Sequence, residues 1–280
     1  MAVVVMSCFA SSGGTLLNQC LGCLPNVVIL SEVNPLGGGR GRGPVWFDTV
    51  KDQAREWYQI DLKSDNFAEG VQELEQICEH TARQLVVREW TFVNFMPYEP
   101  NGWNPPNKLL TLEAIEKRCE VIPFAFVRDS IDVWISRGTP AADVFFEHYL
   151  RYVEALLENR VPVFKYEDFC RRPDVILRNI CEYSGLTYSD SYQNYASFLN
   201  VNGEVQNIGG SRGTRQGRIK LLRRRHLPED KIMEADENAD MVRANTLLGY
   251  SASYYDAPRE NVWLNRFKTE IRKVSDKYFR

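Results

Sequence analysis

The sequence has little positive charge at its start and little histidine anywhere. No lysine or arginine occurs among its first 39 residues, and the whole 280-residue chain has three histidines. None of the histidines stands at metal-ligand spacing from cysteines or carboxylates, which disfavours a histidine-ligated metal centre. The missing basic start disfavours a secretory signal, and no apolar run approaches the roughly 18–20 residues that cross a bilayer. We therefore expect a cytoplasmic protein that does not enter membranes.

Cysteine usage and net charge further narrow the compartments and binding partners that we expect for the protein. The seven cysteines are dispersed and odd in number, which is typical of a reducing compartment. Cys20 and Cys23 form a CxxC, but this spacing within a predicted helix is more simply explained by two small buried side chains. The net charge of −3 gives no general attraction to nucleic acid or membrane surfaces. We expect a single domain over residues 1–280, with a less regular helical and loop part over 187–280.

Apolar, β-rich runs alternate with amphipathic segments along the chain. Strands are predicted at 2–7, 26–31, 84–90, 121–127 and 161–166. Helical stripes are predicted at 67–85 (Val71, Leu74, Ile77, Cys78), at 143–159 (Phe146, Tyr149, Val153, Leu156) and at 259–279 (Val262, Phe267, Ile271). The alternation predicts an α/β fold of three layers, a parallel sheet flanked by helices, with ligands bound beyond the carboxyl ends of the strands.

Two long loops follow predicted strands. Residues 34–46 are rich in glycine, and residues 94–108 are rich in proline and asparagine. Because both loops leave strand ends, both can line the same crevice. The alternative is that each is an ordinary surface connection.

The stretch CFASSGGTLLNQ, residues 8–19, joins the first predicted strand to a predicted helix. Its two glycines permit a tight turn, and the backbone N–H groups of residues 12–15 can converge on one anion at the helix N-terminus. The lysine of the nucleotide-hydrolysing GxxxxGK[ST] loop is absent, which disfavours an ordinary ATPase or kinase. Taken alone, such a loop is also common as a turn without a ligand.

Two further segments carry cations suited to a polyanion. Arg128 ends an apolar strand and Ser136 follows eight residues later, so that a guanidinium and a hydroxyl can share a phosphate. The alternative is that Arg128 pairs with Asp129 or Asp132. Residues 209–225 carry seven basic residues among glycines and predict either a basic flap over a polyanionic ligand or a solvated basic face. RNA binding is disfavoured, because no aromatic residues interleave with the basic ones.

In this order the segments resemble the sulfotransferase superfamily, which uses 3′-phosphoadenosine 5′-phosphosulfate and releases adenosine 3′,5′-bisphosphate. The family motif Pro-Lys/Arg-Ser-Gly-Thr-Thr corresponds to residues 10–15, and its strand-Arg-Asp motif, with a Ser eight residues after the Arg, corresponds to Arg128 and Ser136. Residues 166–186 and the basic glycine-containing segment resemble two later family elements, so the resemblance covers about residues 2–225. The donor-binding residues that we assign from it are Ser11, Ser12, Gly13, Gly14, Thr15, Leu16, Arg88, Arg128, Ser136, Tyr166, Arg212 and Gly213.

One position departs from the family pattern. Ser11 stands where the family has a Lys or Arg, although a cation there would stabilise charge that builds up during sulfuryl transfer. The cations that are candidates to substitute are Arg40, Arg42, Arg88 and Lys108. We favour Arg40 or Arg42 as catalytic residues, because their loop leaves the end of the second predicted strand.

An acceptor hydroxyl also needs a group that accepts its proton. Cytosolic family members use a histidine, but the three histidines here lie within helical patterns or after the basic run. The tyrosylprotein and several bacterial members use a glutamate after the second strand, and Glu32 stands at that place. We therefore predict that Glu32 is the general base; the alternatives are a helix cap or an ion pair with Arg40.

The resemblance thus implies a sulfotransferase that acts on a hydroxyl or amine of a small-molecule acceptor and needs no metal. Two alternatives stay open. The replacement at Ser11 favours a nucleotide-binding member without transfer activity, and the missing loop lysine disfavours a P-loop kinase-like phosphotransferase. No nucleic-acid or membrane partner is expected, and no motif indicates the oligomeric state.

Overall fold

The architecture is built around a parallel sheet. The structure, a computed structural model, describes residues 1–37, 48–97, 102–202 and 219–256. Within them, five strands form one sheet: β1 (Val3–Ser7), β2 (Val27–Val33), β3 (Gln84–Glu89), β4 (Val121–Val127) and β5 (Val163–Lys165). Their order in the sheet is β2-β3-β1-β4-β5, and every neighbouring pair is parallel. The predicted fold class is confirmed.

Helices fill the connections between strands and the part of the chain that follows the sheet. Those before β4 are α1 (Gly14–Gly22), α2 (Val50–Tyr58), α3 (Phe67–His80), α4 (Phe92–Phe95) and α5 (Leu110–Ile115). Those after β4 are α6 (Ser130–Ser136), α7 (Ala142–Glu158), α8 (Tyr166–Arg171), α9 (Pro173–Ser184), α10 (Glu229–Asp236) and α11 (Ala239–Leu247), with a 3₁₀ helix at Asp190–Ser197. No helix in these described stretches is long and apolar enough to cross a bilayer.

Alternate strand residues face two different helical layers. Val4 and Met6 pack with side chains of α1, α8 and α9 on one face. Val3 and Val5 pack with side chains of α2 and α3 on the other face, where α6, α7, α10 and α11 also form a cluster beyond β4. Because successive strand side chains point to opposite faces, the continuous apolar runs of the sequence reflect burial on both sides of the sheet.

The two helical stripes that fall within the described residues are observed, but the predicted segment 67–85 was too long at its end, since α3 ends at His80 and residues 84–85 belong to β3. In α7 the four predicted stripe residues are buried; in α3 three are buried and Ile77 is half-buried. The side chain of Asn66 accepts from two backbone N–H groups and caps α3. The third predicted helix, with Val262, Phe267 and Ile271, lies outside the described residues.

The prediction of a long loop over 94–108 was wrong at its start. Asn94 belongs to α4. Its side-chain nitrogen donates to Glu89 and its side-chain oxygen accepts from Asn34, and these bonds tie the helical turn to the ends of β3 and β2. Of the other predicted loop, the structure describes residues 34–37.

The sheet topology predicts a binding crevice beside the loop after β1. The chain leaves β1 toward β2 on one side and leaves β4 toward β5 on the other side. Ligands of open α/β sheets bind at such a reversal, beyond the carboxyl ends of the strands. The loop after β1 and the end of β4 therefore border the expected binding crevice.

Candidate anion-binding site

The loop after β1 turns through two residues with positive φ. Ser11 has φ 71° and Gly13 has φ 87°. A Cβ at Gly13 would lie 2.4 Å from Cδ2 of Tyr166, so the loop needs glycine here both for its backbone angle and for the close ring. Such strain in a non-glycine residue like Ser11 clusters at binding sites.

This loop presents open hydrogen-bond donors at the start of α1. Leu16 and Leu17 both donate their backbone N–H to the Gly13 carbonyl. No acceptor among the described residues is bonded to the Thr15 N–H, and the buried Ser12 Oγ has no partner there either. These donors lie at the positive end of the helix dipole, so the loop can hold an anion.

Arg128 and Ser136 approach this loop from the end of β4. The Arg128 Nη1 donates to the Ser11 carbonyl at 3.2 Å and to Ser136 Oγ at 3.3 Å. The guanidinium carbon lies 4.9 Å from the centre of the Tyr166 ring, and Nε is buried without a partner among the described residues. The structure thus gathers Ser11, Gly13, Arg128, Ser136 and Tyr166 in one place.

The alternative pairing of Arg128 with neighbouring carboxylates is not what the structure shows. Arg224 occupies both of them: its Nη2 lies 2.7 Å from Asp129 Oδ2, and its Nε lies 3.1 Å from Asp132 Oδ1. Arg225 donates to the carbonyl of Ile135. At least these two members of the predicted basic flap therefore bind the protein itself.

Arg88 approaches the loop from the other side, at the end of β3. This strand is the neighbour of β1, with Met6 opposite Arg88. The guanidinium is 5% exposed; its Nε has no partner among the described residues and would lie 3.1 Å from a Cβ at Gly14. A buried cation therefore lies beneath the first turn of α1, next to the loop that has none of its own.

Glu32 and Ser31 hold this arginine. The Arg88 Nη2 donates to Glu32 Oε1 at 2.6 Å, and Nη1 donates to Ser31 Oγ at 3.3 Å. Glu32 has φ 55°, and the register between β2 and β3 shifts between Leu30 and Val33. Such a bulge re-aims a side chain at a strand end. Arg40, the partner that the sequence offered for Glu32, lies outside the described residues, as does Arg42.

Ser31 is a residue that the sequence reasoning missed. Its Oγ also accepts from the backbone N–H of Asn202 at 3.0 Å, and Gln53 binds its backbone N–H and carbonyl at 2.8 and 2.7 Å. The one signal in the sequence is a serine in an otherwise apolar strand, directly before Glu32. Ser31 therefore ties α2, β2 and β3 to the stretch that ends at Asn202.

Glu89 is a second missed residue. It is buried, and this burial raises the pKa of its carboxyl group. It accepts from the hydroxyls of Ser7 and Thr91, the amide of Asn94 and the backbone N–H of Thr111. Because each of its oxygens is engaged, Glu89 is suited to holding strand ends together rather than to meeting a ligand.

The cysteines of the described residues are suited to packing. Burial raises the pKa of Cys8 to about 11 although Arg88 opposes the shift, so this thiol stays protonated beneath the loop. Burial also raises the pKa of Cys20 well above its usual value, and that of Cys23 less. No group of three or more metal-ligating side chains occurs in this part of the chain.

The remaining assigned residues are less central or are not described. Leu16 is half-buried and packs against the cluster on the α1 side of the sheet. Lys108 is exposed and lies 4.0 Å from the carboxylate of Glu113. Arg212 and Gly213 lie outside the described residues.

No protein-family model and no curated protein matches this sequence. Among solved structures, the chain is similar to the sulfotransferase domain from the curacin biosynthetic pathway, with a TM-score of 0.56 and 14% identity over 89% of this chain and 98% of that one. Mouse sulfotransferase SULT7A1 complexed with PAP gives a TM-score of 0.42 and 12% identity over 89% of each chain. Sulfotransferase STF1 from Mycobacterium tuberculosis H37Rv gives 0.41 and 12%, over 69% and 70%. The first of these likenesses confirms the predicted architecture: the chain has the sulfotransferase fold.

Proposed function

We propose that the protein binds 3′-phosphoadenosine 5′-phosphosulfate and transfers its sulfuryl group to a hydroxyl or amine of a small-molecule acceptor. The observation that carries the proposal is the set of buried donors without partners around one loop. Among the described residues, these are Ser12 Oγ, Arg88 Nε and Arg128 Nε. Buried polar groups are nearly always hydrogen-bonded, so such a set indicates a ligand with several anionic groups.

The residues present fit this donor. Arg128 and Ser136 share one hydrogen bond and are suited to the 3′-phosphate, as the family resemblance implies. The loop amides and Ser12 are suited to the 5′-phosphosulfate. The Tyr166 ring contacts both Gly13 and Arg128 and so packs the loop against the cation. Arg212 and Gly213 stay assigned to the 3′-phosphate as a prediction.

We assign to Arg88 the role of the Lys or Arg that the family has at the position of Ser11. It is buried, it lies beneath the first turn of α1, and two of its nitrogens are already fixed by β2. The donor supplies an activated sulfuryl group. A fixed guanidinium in a buried site stabilises the negative charge that develops on the bridging oxygen of the nucleotide as the sulfuryl group is transferred. Arg40 and Arg42 remain predicted contributors that the described residues do not include.

Glu32 is suited to accepting the proton of the acceptor. Its side chain is 23% exposed, and the ion pair with Arg88 holds Oε1. No partner of Oε2 occurs among the described residues. A carboxylate with one oxygen fixed and one oxygen open can face an incoming hydroxyl in a defined direction. The same ion pair couples the proposed base to the proposed cation.

One observation favours a second function, nucleotide binding without transfer. Ser11 lacks a charge, and its carbonyl is already bonded to Arg128. A chain in which Arg88 does not reach the donor would keep nucleotide affinity and lose turnover. Transfer from labelled donor to a generic phenol distinguishes the two functions, and dependence on magnesium would instead indicate a phosphotransferase.

Binding of adenosine 3′,5′-bisphosphate in the presence of EDTA tests whether the protein binds the nucleotide without a metal. We expect a rise in melting temperature, since a ligand at a hundredfold over its Kd stabilises the folded chain by about 2.7 kcal/mol. Adenosine, which lacks both phosphates, is the control and should give no comparable rise. The proposal is wrong if millimolar bisphosphate leaves the melting temperature unchanged.

A further inference from the structure

The turn that carries Arg128 is bound from several distant parts of the chain. We call residues 128–130, between β4 and α6, the Arg128 turn. The carbonyl of Arg128 accepts from the Tyr149 hydroxyl of α7 at 2.7 Å. The backbone N–H of Asp129 donates to Glu167 Oε1 of α8 at 3.2 Å. These two bonds hold the carbonyl and the N–H of one peptide group, the one that joins Arg128 to Asp129.

The C-terminal part of the chain supplies further contacts, from α11 and from Arg224, which precedes α10. Asn245 of α11 accepts from both the backbone N–H and the hydroxyl of Ser130, at 3.0 and 2.7 Å, and its Nδ2 lies 3.4 Å from Asp129 Oδ1. Asn245 is fully buried, like Asp129 and Ser130. Arg224 pairs with the other oxygen of Asp129. Ser130 of the turn is therefore bound by a residue 115 positions away in sequence.

The residues that bind the Arg128 turn are themselves held by a second layer of hydrogen bonds. Tyr250, which follows α11, donates its hydroxyl to Glu167 Oε2 at 2.6 Å, while Glu167 Oε1 binds the turn. The backbone of Asn245 accepts from the Tyr250 N–H at 2.7 Å, and the Asn245 Nδ2 donates to the Ser251 carbonyl. Because these hydrogen bonds join α8, α11 and Tyr250 to the turn, a shift of α11 moves the turn with it.

We propose that Asn245, with Arg224, is a positioning residue of the nucleotide site: α11 and the stretch that precedes α10 set the place of Arg128 and thereby the affinity for the 3′-phosphate. This inference rests on the proposed function. Within the described part of the chain, the Arg128 side chain makes two hydrogen bonds, of 3.2 and 3.3 Å, and contacts the Tyr166 ring, so its place depends largely on the backbone that Asn245 and its neighbours fix. A donor held in advance binds a phosphate better than a donor that must be ordered on binding.

The test compares two nucleotides that differ in the 3′-phosphate. The full-length chain, Asn245→Ala and Ser130→Ala are titrated with adenosine 3′,5′-bisphosphate and with adenosine 5′-monophosphate by calorimetry. We expect the preference of the unchanged chain for the bisphosphate to fall by about tenfold in Asn245→Ala, and by less in Ser130→Ala, with monophosphate affinity nearly unchanged. Ser130→Ala removes only a hydroxyl and serves if Asn245→Ala does not fold.

Arg243→Ala is the matched control, because it cuts a contact of the same helix that does not involve the turn. Arg243 pairs with Glu154 of α7 at 2.7 Å on an exposed face of α11. This variant should keep the full bisphosphate preference. An unchanged preference in both Asn245→Ala and Ser130→Ala overturns the inference but leaves the proposed function standing. If the unchanged chain itself does not prefer the bisphosphate, the proposed function fails first.

Discussion

Arg88 and Arg128 stand on opposite sides of β1 at the same edge of the sheet, and the structure holds them in opposite ways. Arg88 is fixed through its side chain, since Ser31 and Glu32 bind two of its three nitrogens in a buried place. Arg128 is fixed through its backbone, whereas its guanidinium makes two longer hydrogen bonds and contacts the Tyr166 ring. One cation is held through its guanidinium, and the other mainly through its backbone.

This difference indicates how the two sides of the site divide the proposed function. Groups that act on reacting atoms need a fixed geometry, because small displacements are costly in rate. Groups that retain a nucleotide tolerate adjustment as long as they remain within hydrogen-bond distance. We therefore expect changes on the Arg88 side to lower turnover, and changes on the Arg128 side to weaken nucleotide binding.

Glu32→Gln should give the largest effect. The amide oxygen of Gln can still accept from Arg88 Nη2, so the cation keeps its place, but an amide cannot accept the acceptor's proton. General-base catalysis contributes about 10²–10⁴ in rate, and turnover should fall by that order while affinity for the bisphosphate stays nearly unchanged. Steady-state kinetics with labelled donor, together with calorimetry, measures both quantities.

Glu32→Ala separates the two roles of this carboxylate. It removes the proton acceptor and also frees Arg88, so it should cost more turnover than Glu32→Gln and should lower the melting temperature. A Glu32→Gln chain that keeps wild-type turnover, with only Glu32→Ala impaired, would show that Glu32 positions Arg88 and is not the base.

Arg88→Ala should give the next largest loss. Removal of one donor that stabilises developing charge lowers turnover by about 10²–10³. Binding of the bisphosphate should suffer much less, since this product lacks the sulfate. Arg118→Ala, which cuts an exposed ion pair with Glu69, is the control. If Arg88→Ala turns over normally, the missing charge at Ser11 is supplied from elsewhere, and Arg40 and Arg42 become the next residues to change.

Arg128→Ala should act mainly on binding. Loss of a charged hydrogen-bond partner weakens an interaction by about 1.5–3 kcal/mol, and the effect should appear with the 3′,5′-bisphosphate and not with the 5′-monophosphate. Calorimetry with both nucleotides measures it. Equal losses of affinity for the two nucleotides would place the 3′-phosphate away from Arg128 and would contradict the proposed division of function between the Arg88 side and the Arg128 side.

The sheet could be predicted from the sequence because burial on both faces leaves long apolar runs. The run VIPFAFV coincides with β4, and each of the other predicted strands ends within about two residues of an observed end. Arg128 and Ser136 could be paired in advance, since a strand end and the second turn of the next helix are separated by a fixed geometry.

The surroundings of Arg88 could not be predicted in the same way. The sequence offered four cations for one place, and only the strand order, which sets β3 beside β1, brings Arg88 to the loop. Ser31 bonds to Asn202, 171 residues away, and Asp129 pairs with Arg224, which the sequence assigned to a basic flap. Contacts of this kind depend on how distant elements pack, and no local pattern records them.

The smallest predicted effect concerns the second layer behind the Arg128 turn. Burial raises the pKa of Glu167 to about 7 in the folded chain, although the hydrogen bond from Tyr250 opposes the shift. The folded state therefore binds this proton more tightly than the unfolded state, whose value is near 4.5. The resulting stabilisation is fully present below about pH 4.5 and is lost as the pH rises through about 7.

Comparison of the unchanged chain with Glu167→Gln isolates this contribution. Between pH 5.5 and 7.5, the free energy of unfolding of the unchanged chain should fall relative to that of the variant by about 1–2 kcal/mol. Urea unfolding at several pH values measures the difference, and Glu182→Gln, a change on an exposed position of α9, should keep the pH dependence of the unchanged chain. Parallel pH profiles for Glu167→Gln and the unchanged chain would mean that Glu167 stays ionised over this range. In that case the Arg128 turn would rest on a permanent negative charge, and nucleotide affinity would not follow the protonation of the network behind it.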